Sequence, residues 1–275
     1  MTTRRYNADP ARDTEKRYAS DLSDPEFAIL EPLVAQKPGS GKQRTVNIRE
    51  ILNAIFYRLR TGCQWRMLPS DLPPWNHVWY YYRTWRNDGT LERINTSIRQ
   101  DVRTKANRDP EPSVGIIDSQ SVATTEMGGE QGFNPHKQIK GRKRNILVDT
   151  LGLLLFVVVC SASIQDSDAA EYIIGETKGR FPRLRTILVD QGYAQWLVAF
   201  AKHWYQIVID IVNRPKKQRA FVVQPQRWKV ERTFGWFNWN RLLNKEVERT
   251  TESSECDLYL ASIRLMVRRA TVPPK

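Results

Sequence analysis

Three acidic residues lie at positions where an ordinary surface carboxylate is rarely found. Asp118 and Asp190 each end a short apolar run typical of a buried strand, and Glu231 lies in a segment with helical periodicity. An ionised carboxylate in apolar surroundings is costly unless it is paired or holds a metal. The three residues are therefore candidate metal ligands. For each acid taken alone, a turn cap at a strand end or a surface ion pair is the competing interpretation.

The chemistry that suits such carboxylates is metal-assisted displacement at phosphorus. Mg²⁺ prefers oxygen ligands and keeps several waters, so a few carboxylates suffice. Two ions about 4 Å apart activate a water or a 3′-hydroxyl and stabilise the leaving oxygen of an in-line displacement. We expect Asp118, Asp190 and Glu231 to act as catalytic residues by holding two Mg²⁺ ions, with Mn²⁺ as the alternative metal.

The composition indicates a polyanionic partner. The chain has 43 Lys and Arg against 30 Asp and Glu, which gives a formal charge of +13. Such a surplus favours nucleic acid, although a solvated basic surface gives the same count. The three cysteines lack any CxxC pairing, so neither a disulfide framework nor a zinc site is indicated. The longest apolar run, 151–160, is too short to cross a membrane.

The acids can meet only if the chain between them folds into a sheet. Short apolar segments rich in β-branched residues predict five strands, at 114–118, 145–149, 153–159, 186–190 and 207–212. Helices are predicted through 169–174, over 194–202 and from 227 to about 245. Three strands followed by helices that alternate with strands match a ribonuclease H-like layout. The predicted fold class is therefore α/β, with a mixed sheet flanked by helices.

Before this sheet, capping residues and apolar spacing predict four helices, which form a small all-α, helix-turn-helix-like domain. We expect a flexible arm at 1–22, a helical DNA-binding domain at 23–108 and a catalytic domain at 112–273. The third predicted helix, 75–88, is the candidate recognition helix, with Trp79 inward and Arg83 and Arg86 outward toward DNA. A purely structural helix in a bundle is the alternative.

Two groups of polar and basic residues are candidate DNA contacts. The first surrounds Gly141, where we expect a turn that clamps phosphates unless it is only a solvated basic hairpin. Its members are Lys137, Lys140, Arg142, Lys143 and Arg144. The second group shares one stripe of the predicted 227–245 helix with Glu231, unless that stripe is a solvated helix face. Its members are Arg227, Asn238, Arg241 and Lys245.

Several segments resemble the sequence blocks of bacterial DDE transposases of the insertion-sequence-five family. They are 117–122, 139–153, Asp190-Gln191-Gly192-Tyr193 and 227–234, together with 60–69 and Pro74-Trp75 in the front half. The resemblance covers most of the chain. It implies a ribonuclease H-like fold, a metal-binding triad of Asp118, Asp190 and Glu231, and hydrolytic nicking at element ends followed by strand transfer.

The resemblance is incomplete around the last acid. Many relatives carry Tyr, Arg, Glu and Lys there at fixed spacing, whereas this sequence has Gln224 at the Tyr position and Asn238 at the Lys position. Arg227 is in place, and Arg241 and Lys245 are the candidates to replace the missing lysine. The departure leaves the acids intact and concerns how the helix binds element ends.

The sequence therefore predicts a DNA transposase of an insertion sequence, which binds terminal inverted repeats and catalyses Mg²⁺-dependent cleavage and strand transfer. Because two ends must be held together, we expect a homodimer or higher oligomer on double-stranded DNA. The expected location is the cytoplasm of a prokaryote, at the nucleoid and away from membranes. Two other functions stay open: a catalytically inactive DNA-binding regulator derived from a transposase, and a ribonuclease H-like nuclease without strand transfer.

Overall fold

The computed structural model describes residues 16–35, 46–126, 129–212 and 227–272. The front helices are α1 (Asp24–Val34), α2 (Ile48–Thr61), α3 (Trp75–Asn87) and α4 (Thr90–Lys105). The strands are β1 (Val114–Ala123), β2 (Gly132–Asn134), β3 (Ile139–Asp149), β4 (Leu154–Ser161), β5 (Thr186–Val189) and β6 (Val208–Ile211). The later helices are α5 (Asp166–Thr177), α6 (Gln195–Tyr205), α7 (Trp228–Phe237) and α8 (Thr251–Thr271).

The four front helices form where capping residues and apolar spacing predict them. The Glu26 carboxylate accepts a hydrogen bond from the Ser23 backbone N–H at 2.8 Å and so caps α1. The Asn47 side chain accepts from the backbone N–H of Arg49 at 3.0 Å at the start of α2. Gly62, at a φ of 73°, ends that helix in the left-handed conformation that glycine adopts without strain. In the described ranges, no helix has the length and apolar character needed to cross a membrane.

The sheet is mixed, with β1 at its centre. β1 pairs antiparallel with β3 along almost its whole length and parallel with β5, and β5 pairs parallel with β6. β2 and β4 both pair antiparallel with β3. The predicted order of strands and crossover helices is confirmed, with β2 as an additional short strand.

Two apolar clusters cover the two faces of this sheet. Ile116 of β1 belongs to a cluster built with the front helices, α7 and α8. Its neighbour Ile117 points the other way, into a cluster built with α5 and α6. This alternation along a strand places the sheet between two helical layers and buries both of its faces.

β1 and β3 are longer than predicted because their paired ends carry polar side chains. The pairing continues beyond Asp118 to Ala123, and β3 begins at Ile139 rather than at Asn145. The apolar pattern stops at the acid, whereas the backbone hydrogen bonds do not. A prediction based on hydrophobicity therefore ended both strands too early.

The long helix α8 is absent from the sequence prediction, which places no element after residue 245. It contacts all four front helices as well as α7 and β4. Its buried residues include Ser253, Ser254, Asp257 and Ser262, so the apolar periodicity of an amphipathic helix is interrupted. Buried hydrogen bonds replace it: Asp257 accepts from the Tyr82 hydroxyl at 3.1 Å, and the Ser262 hydroxyl donates to Asn95 at 2.8 Å.

The segment just before α1 is packed rather than loose. Leu22 is 1% exposed, and its backbone N–H donates to the Asn53 side chain of α2 at 2.9 Å. The predicted flexible arm is therefore wrong for the residues next to α1, and its residues 1–15 lie outside the described ranges. The apolar cluster that contains Leu22 also includes residues of β1, β3 and α8. The division into a helical and a catalytic domain stays a prediction.

Glu255 of α8 makes the stability of this packing depend on pH. Its Oε1 accepts a hydrogen bond from the Val159 backbone N–H of β4 at 2.8 Å, and burial raises the pKa of this carboxyl from 4.5 to about 7. Because that pKa is higher in the folded chain than in the unfolded one, this carboxyl makes folding less favourable as pH rises from about 4.5 through about 7. We expect Glu255→Gln to have a higher unfolding free energy than the native chain at pH 8. This difference between variant and native chain should be about 2 kcal/mol larger at pH 8 than at pH 5.

Urea unfolding of both proteins at the two pH values measures this gain. Glu31→Gln, which removes an exposed carboxyl of α1, is the control and should show the same small difference at both pH values. An equal effect of Glu255→Gln at pH 5 and pH 8 would contradict the assignment.

Candidate active site

Sheet register brings the first two acids together. In the parallel pair of β1 and β5, Ile116 lies opposite Leu188. Asp118 and Asp190 each follow this pair by two residues, so Asp118, within β1, lies beside Asp190, just past the end of β5. Glu231 lies in the first turn of α7, which packs against β1. All three predicted metal ligands are thus placed around one point.

The point on which they converge is the guanidinium of Arg227. Its Nη2 lies 3.5 Å from Asp118 Oδ2, 3.2 Å from Asp190 Oδ2 and 3.9 Å from Glu231 Oε1. Arg227 is 9% exposed and immediately precedes α7. One buried cation therefore neutralises part of the charge of three acids that come from separate parts of the chain.

The three carboxylates differ in exposure. The Asp118 side chain is 16% exposed, that of Asp190 36% and that of Glu231 53%. Burial raises the pKa of Asp118 to about 6, although Arg227 and the hydrogen bond from the Ser119 backbone N–H oppose the shift. Asp190 also accepts a hydrogen bond from the Gly192 backbone N–H at 2.9 Å. The site therefore has a buried acid at its base and two more accessible acids at its rim.

The donor set suits a hard divalent cation. All three side chains offer carboxylate oxygens, which Mg²⁺ and Mn²⁺ prefer, and all three already share one positive group. As placed, however, no three His, Cys, Asp or Glu side chains of the described residues form a group that could hold a metal ion. The acids are arranged around a guanidinium rather than around a metal.

Beside Asp118, a group of polar residues joins β1 and β3 to α5. The Ser119 hydroxyl donates to Asp166 at 2.9 Å, and the Lys143 ammonium lies 3.0 Å from the same carboxylate. Neither contact of Asp166 is predicted from the sequence. Ser119 directly follows Asp118, which is a sequence signal, whereas Lys143 is distant from both in sequence. Asp166 lies within the first turn of α5, whose N-cap is Gln165.

Tyr193 is a further residue of the site that the list of sequence candidates omits. It is 5% exposed, and burial together with the charge of nearby Asp118 raises the pKa of its hydroxyl far above the usual value. Its hydroxyl has no hydrogen-bond partner among the residues that the structure describes. Its place in Asp190-Gln191-Gly192-Tyr193 was the available signal.

The predicted basic turn around Gly141 is wrong. The turn lies earlier, between β2 and β3, and contains Lys137, which is exposed. Lys140 is also exposed, on β3, but the next three basic residues are buried within that strand. They are Arg142, Lys143 and Arg144, with 0%, 6% and 1% exposure. In this conformation these three side chains are not available to a DNA phosphate.

Arg142 and Arg144 are instead the cations of a buried ion-pair cluster. Arg144 Nη2 lies 3.0 Å from Glu246 Oε2, and Arg142 Nη1 lies 3.7 Å from Glu246 Oε1. Arg142 also donates to backbone carbonyls of Glu248 and Arg249, both at 2.8 Å. The cluster fastens β3 to the segment that leads into α8. Both arginines therefore bind parts of the protein and not DNA in this conformation.

The predicted long helix ends earlier than residue 245. α7 stops at Phe237, and Asn238 caps it with an N–H that donates to Phe234 at 3.0 Å. A short 3₁₀ turn, Arg241–Leu243, follows and buries Leu242 against α2. Arg241 and Lys245 are exposed but do not share a stripe with Glu231, so the predicted replacement of the missing lysine along this helix is wrong. Gln224 lies outside the described residues.

The candidate recognition helix α3 has a mixed face. Arg83 is exposed and its guanidinium lies 4.8 Å from the centre of the Trp79 ring. Trp79 is 37% exposed, so its predicted inward position is wrong. Arg86 is half-buried and donates to the Ser253 hydroxyl of α8 at 2.6 Å. It serves packing between helices in this conformation, whereas Arg83 faces solvent.

Comparison with known proteins covers both halves of the chain. A family model described as "Transposase DDE domain" matches residues 109–263. A second model, described as "Putative transposase of IS4/5 family", matches residues 22–95. A curated relative, "Insertion element IS402 uncharacterized 16.2 kDa protein" of Burkholderia cepacia, is 28% identical over 120 residues, which is 42% of this chain and 80% of the relative. The first match includes the whole sheet and all three acids.

The buried cluster around Glu246 predicts that Arg144 acts in stability. Arg144→Ala leaves a buried carboxylate short of its partner, and we expect the unfolding free energy to fall by about 3 kcal/mol. Lys140→Ala, four residues earlier on the same strand but exposed, is the matched control and should change it by less than about 0.5 kcal/mol. Urea unfolding gives both values. A variant at Arg144 that is as stable as the native chain but binds DNA more weakly would restore the original interpretation.

Proposed function

Because this chain belongs to the DDE transposase family, whose catalytic domain has a ribonuclease H-like fold, we propose that it cuts DNA at the ends of an insertion sequence and joins those ends to target DNA. The observation that carries this proposal is the convergence of Asp118, Asp190 and Glu231 on one cation. These acids come from two neighbouring strands and from the helix α7. Their convergence supports a common task.

In this proposal the three carboxylates are the ligands of the catalytic metal ions. Bound Mg²⁺ or Mn²⁺, two ions per site, supplies activation of the attacking hydroxyl and neutralises the charge that develops on the leaving oxygen. Asp118 is held at the base of the site by β1 and by the Ser119 N–H. Asp190 and Glu231 are more exposed, so we place the DNA on their side of the site.

Exposed cations and aromatic rings around the molecule supply candidate DNA contacts. Lys137, Lys140, Arg241 and Lys245 are exposed and retain the predicted role in binding phosphates. On α3, Trp75, Trp79 and Tyr80 are 38%, 37% and 54% exposed, and Arg83 stacks on the Trp79 ring. An aromatic and basic helix face of this kind suits an element end, with cations on phosphates and flat side chains against sugars or bases.

The remaining parts of the proposal follow from the reaction. Two element ends must be held in one complex, so the protein acts as a homodimer or a higher oligomer on double-stranded DNA. Its substrate places it with the nucleoid in the cytoplasm of a prokaryote.

Replacing one carboxylate tests the catalytic assignment. We expect Asp190→Asn to reduce Mg²⁺-dependent cleavage of a duplex that carries an element end by about 1,000-fold or more, because several kcal/mol of transition-state stabilisation depend on the metal. Asp168→Asn, at an exposed acid in the first turn of α5, is the matched control and should cleave normally. Gel analysis of cleaved and joined products measures both steps.

Each other outcome of this assay points to a different function. DNA binding by the native chain without cleavage in Mg²⁺ or Mn²⁺ would contradict the proposal and favour an inactive regulator. Cleavage without joined products would favour a nuclease. Full activity of Asp190→Asn would remove this residue from the site.

The exposed face of α3 predicts an electrostatic contribution to DNA binding. We expect Arg83→Ala to weaken binding of the element end about three- to tenfold and to reduce the slope of log K against log salt by about 1. Arg180→Ala removes an exposed arginine whose ion pairs with Glu92 and Glu176 occupy it, and it should leave both quantities unchanged. Fluorescence anisotropy over a salt series provides the measurement. Equal affinities of the native chain and Arg83→Ala would show that α3 lies off the DNA.

A further inference from the structure

The position of Arg227 raises the question of how a metal enters the acidic site. One nitrogen, Nη2, makes all three ion pairs that the structure describes for this side chain, and their lengths span 3.2 to 3.9 Å. Mg²⁺–oxygen distances are about 2.1 Å, so an ion shared by the same oxygens would lie in the space that the guanidinium now fills. The two cations compete for one place.

We propose that Arg227 is a positioning residue that stands in for the metal before it binds, so that metal binding and Arg227 pairing exclude each other. This inference rests on the proposed function, because it assumes that the three acids are metal ligands. It adds that the protein carries its own competitor for the metal. Arg227 is then more than the DNA contact that its sequence position suggests.

Arg227 has two opposite effects on the site. Without a cation, Asp118, Asp190 and Glu231 would repel each other, because like charges held close together near a protein surface interact unfavourably. The guanidinium relieves this repulsion and keeps the acids assembled. The guanidinium has no acceptor atom and therefore cannot become a metal ligand. Its positive charge also repels a divalent ion in the same place. The same residue therefore orders the site and weakens its metal affinity.

Among the described residues, the three acids are the polar groups that hold this side chain. Arg227 Nε is buried and has no hydrogen-bond partner within the described part of the chain. Residue 227 precedes α7, so the guanidinium can turn away without disturbing the hydrogen bonds of that helix. Once the guanidinium is displaced, its N–H donors have the right geometry to bind a phosphate group of the DNA substrate.

Mn²⁺ binding to the full chain without DNA tests this inference with a readout other than activity. We expect Arg227→Gln to bind Mn²⁺ at least about tenfold more tightly than the native chain, by calorimetry or by the loss of the free-ion magnetic resonance signal. Arg227→Lys keeps one positive charge and should stay within about threefold of the native affinity. Arg232→Gln, at the next arginine of the chain, lies between Trp228 and Trp236 and should leave the affinity unchanged.

Asp118→Asn shows whether Mn²⁺ binds at this site. It should lower the Mn²⁺ affinity of both the native chain and Arg227→Gln. Native-like or weaker binding by Arg227→Gln, when the native chain binds Mn²⁺ through Asp118, would overturn the inference and leave the proposed function standing. Absence of Mn²⁺ binding in the native chain and in every variant would overturn both. A lower thermal midpoint of Arg227→Gln without metal, restored by Mn²⁺, is the second expected result.

Discussion

Mutual repulsion among three carboxylates is the constraint that the fold has to satisfy. Asp118, Asp190 and Glu231 are distant in sequence, yet each lies within 4 Å of one guanidinium nitrogen. Strand register fixes the first two, because β1 and β5 are held by backbone hydrogen bonds on which side-chain charge has little influence. The packing of α7 against β1 delivers the third, and apolar burial on both faces of the sheet stabilises this arrangement.

The surplus of positive charge has two distinct uses. Arg142 and Arg144 pair with Glu246, and Arg58 of α2 lies 3.4 Å from the buried Asp257 of α8. These cations fasten segments that are far apart in sequence. The exposed cations, among them Lys137 and Arg83, are the ones left for a polyanion. A count of basic residues therefore overstates the surface available to DNA.

Sequence patterns were sufficient wherever one simple rule governs the structure. Capping residues and apolar spacing predicted the four front helices, and β-branched runs predicted the centres of the five main strands. The patterns failed where tertiary contacts decide the outcome. α8 buries Asp257 and Ser262 through hydrogen bonds to other helices, so its sequence lacks a clean apolar face.

The candidate site shows the same limit. Short apolar strands ending on acids, together with the family resemblance, were enough to select Asp118, Asp190 and Glu231. The contacts of Arg142 and Arg144 could not be read from their spacing, since their partner Glu246 is about a hundred residues away in the chain. The hydrogen bond between Ser119 and Asp166, beside Asp118, depends on how α5 packs against the sheet and could not be predicted from the sequence.

The late position of α8 in the chain also affects synthesis. The front helices leave the ribosome first, but the surface that covers Leu30 and Ile55 in the same apolar cluster includes Leu258 and Ile263. A nascent chain that has not reached residue 251 exposes this apolar surface, which favours aggregation or degradation. The front helices therefore depend for their stability on a helix that is synthesised much later in the same chain.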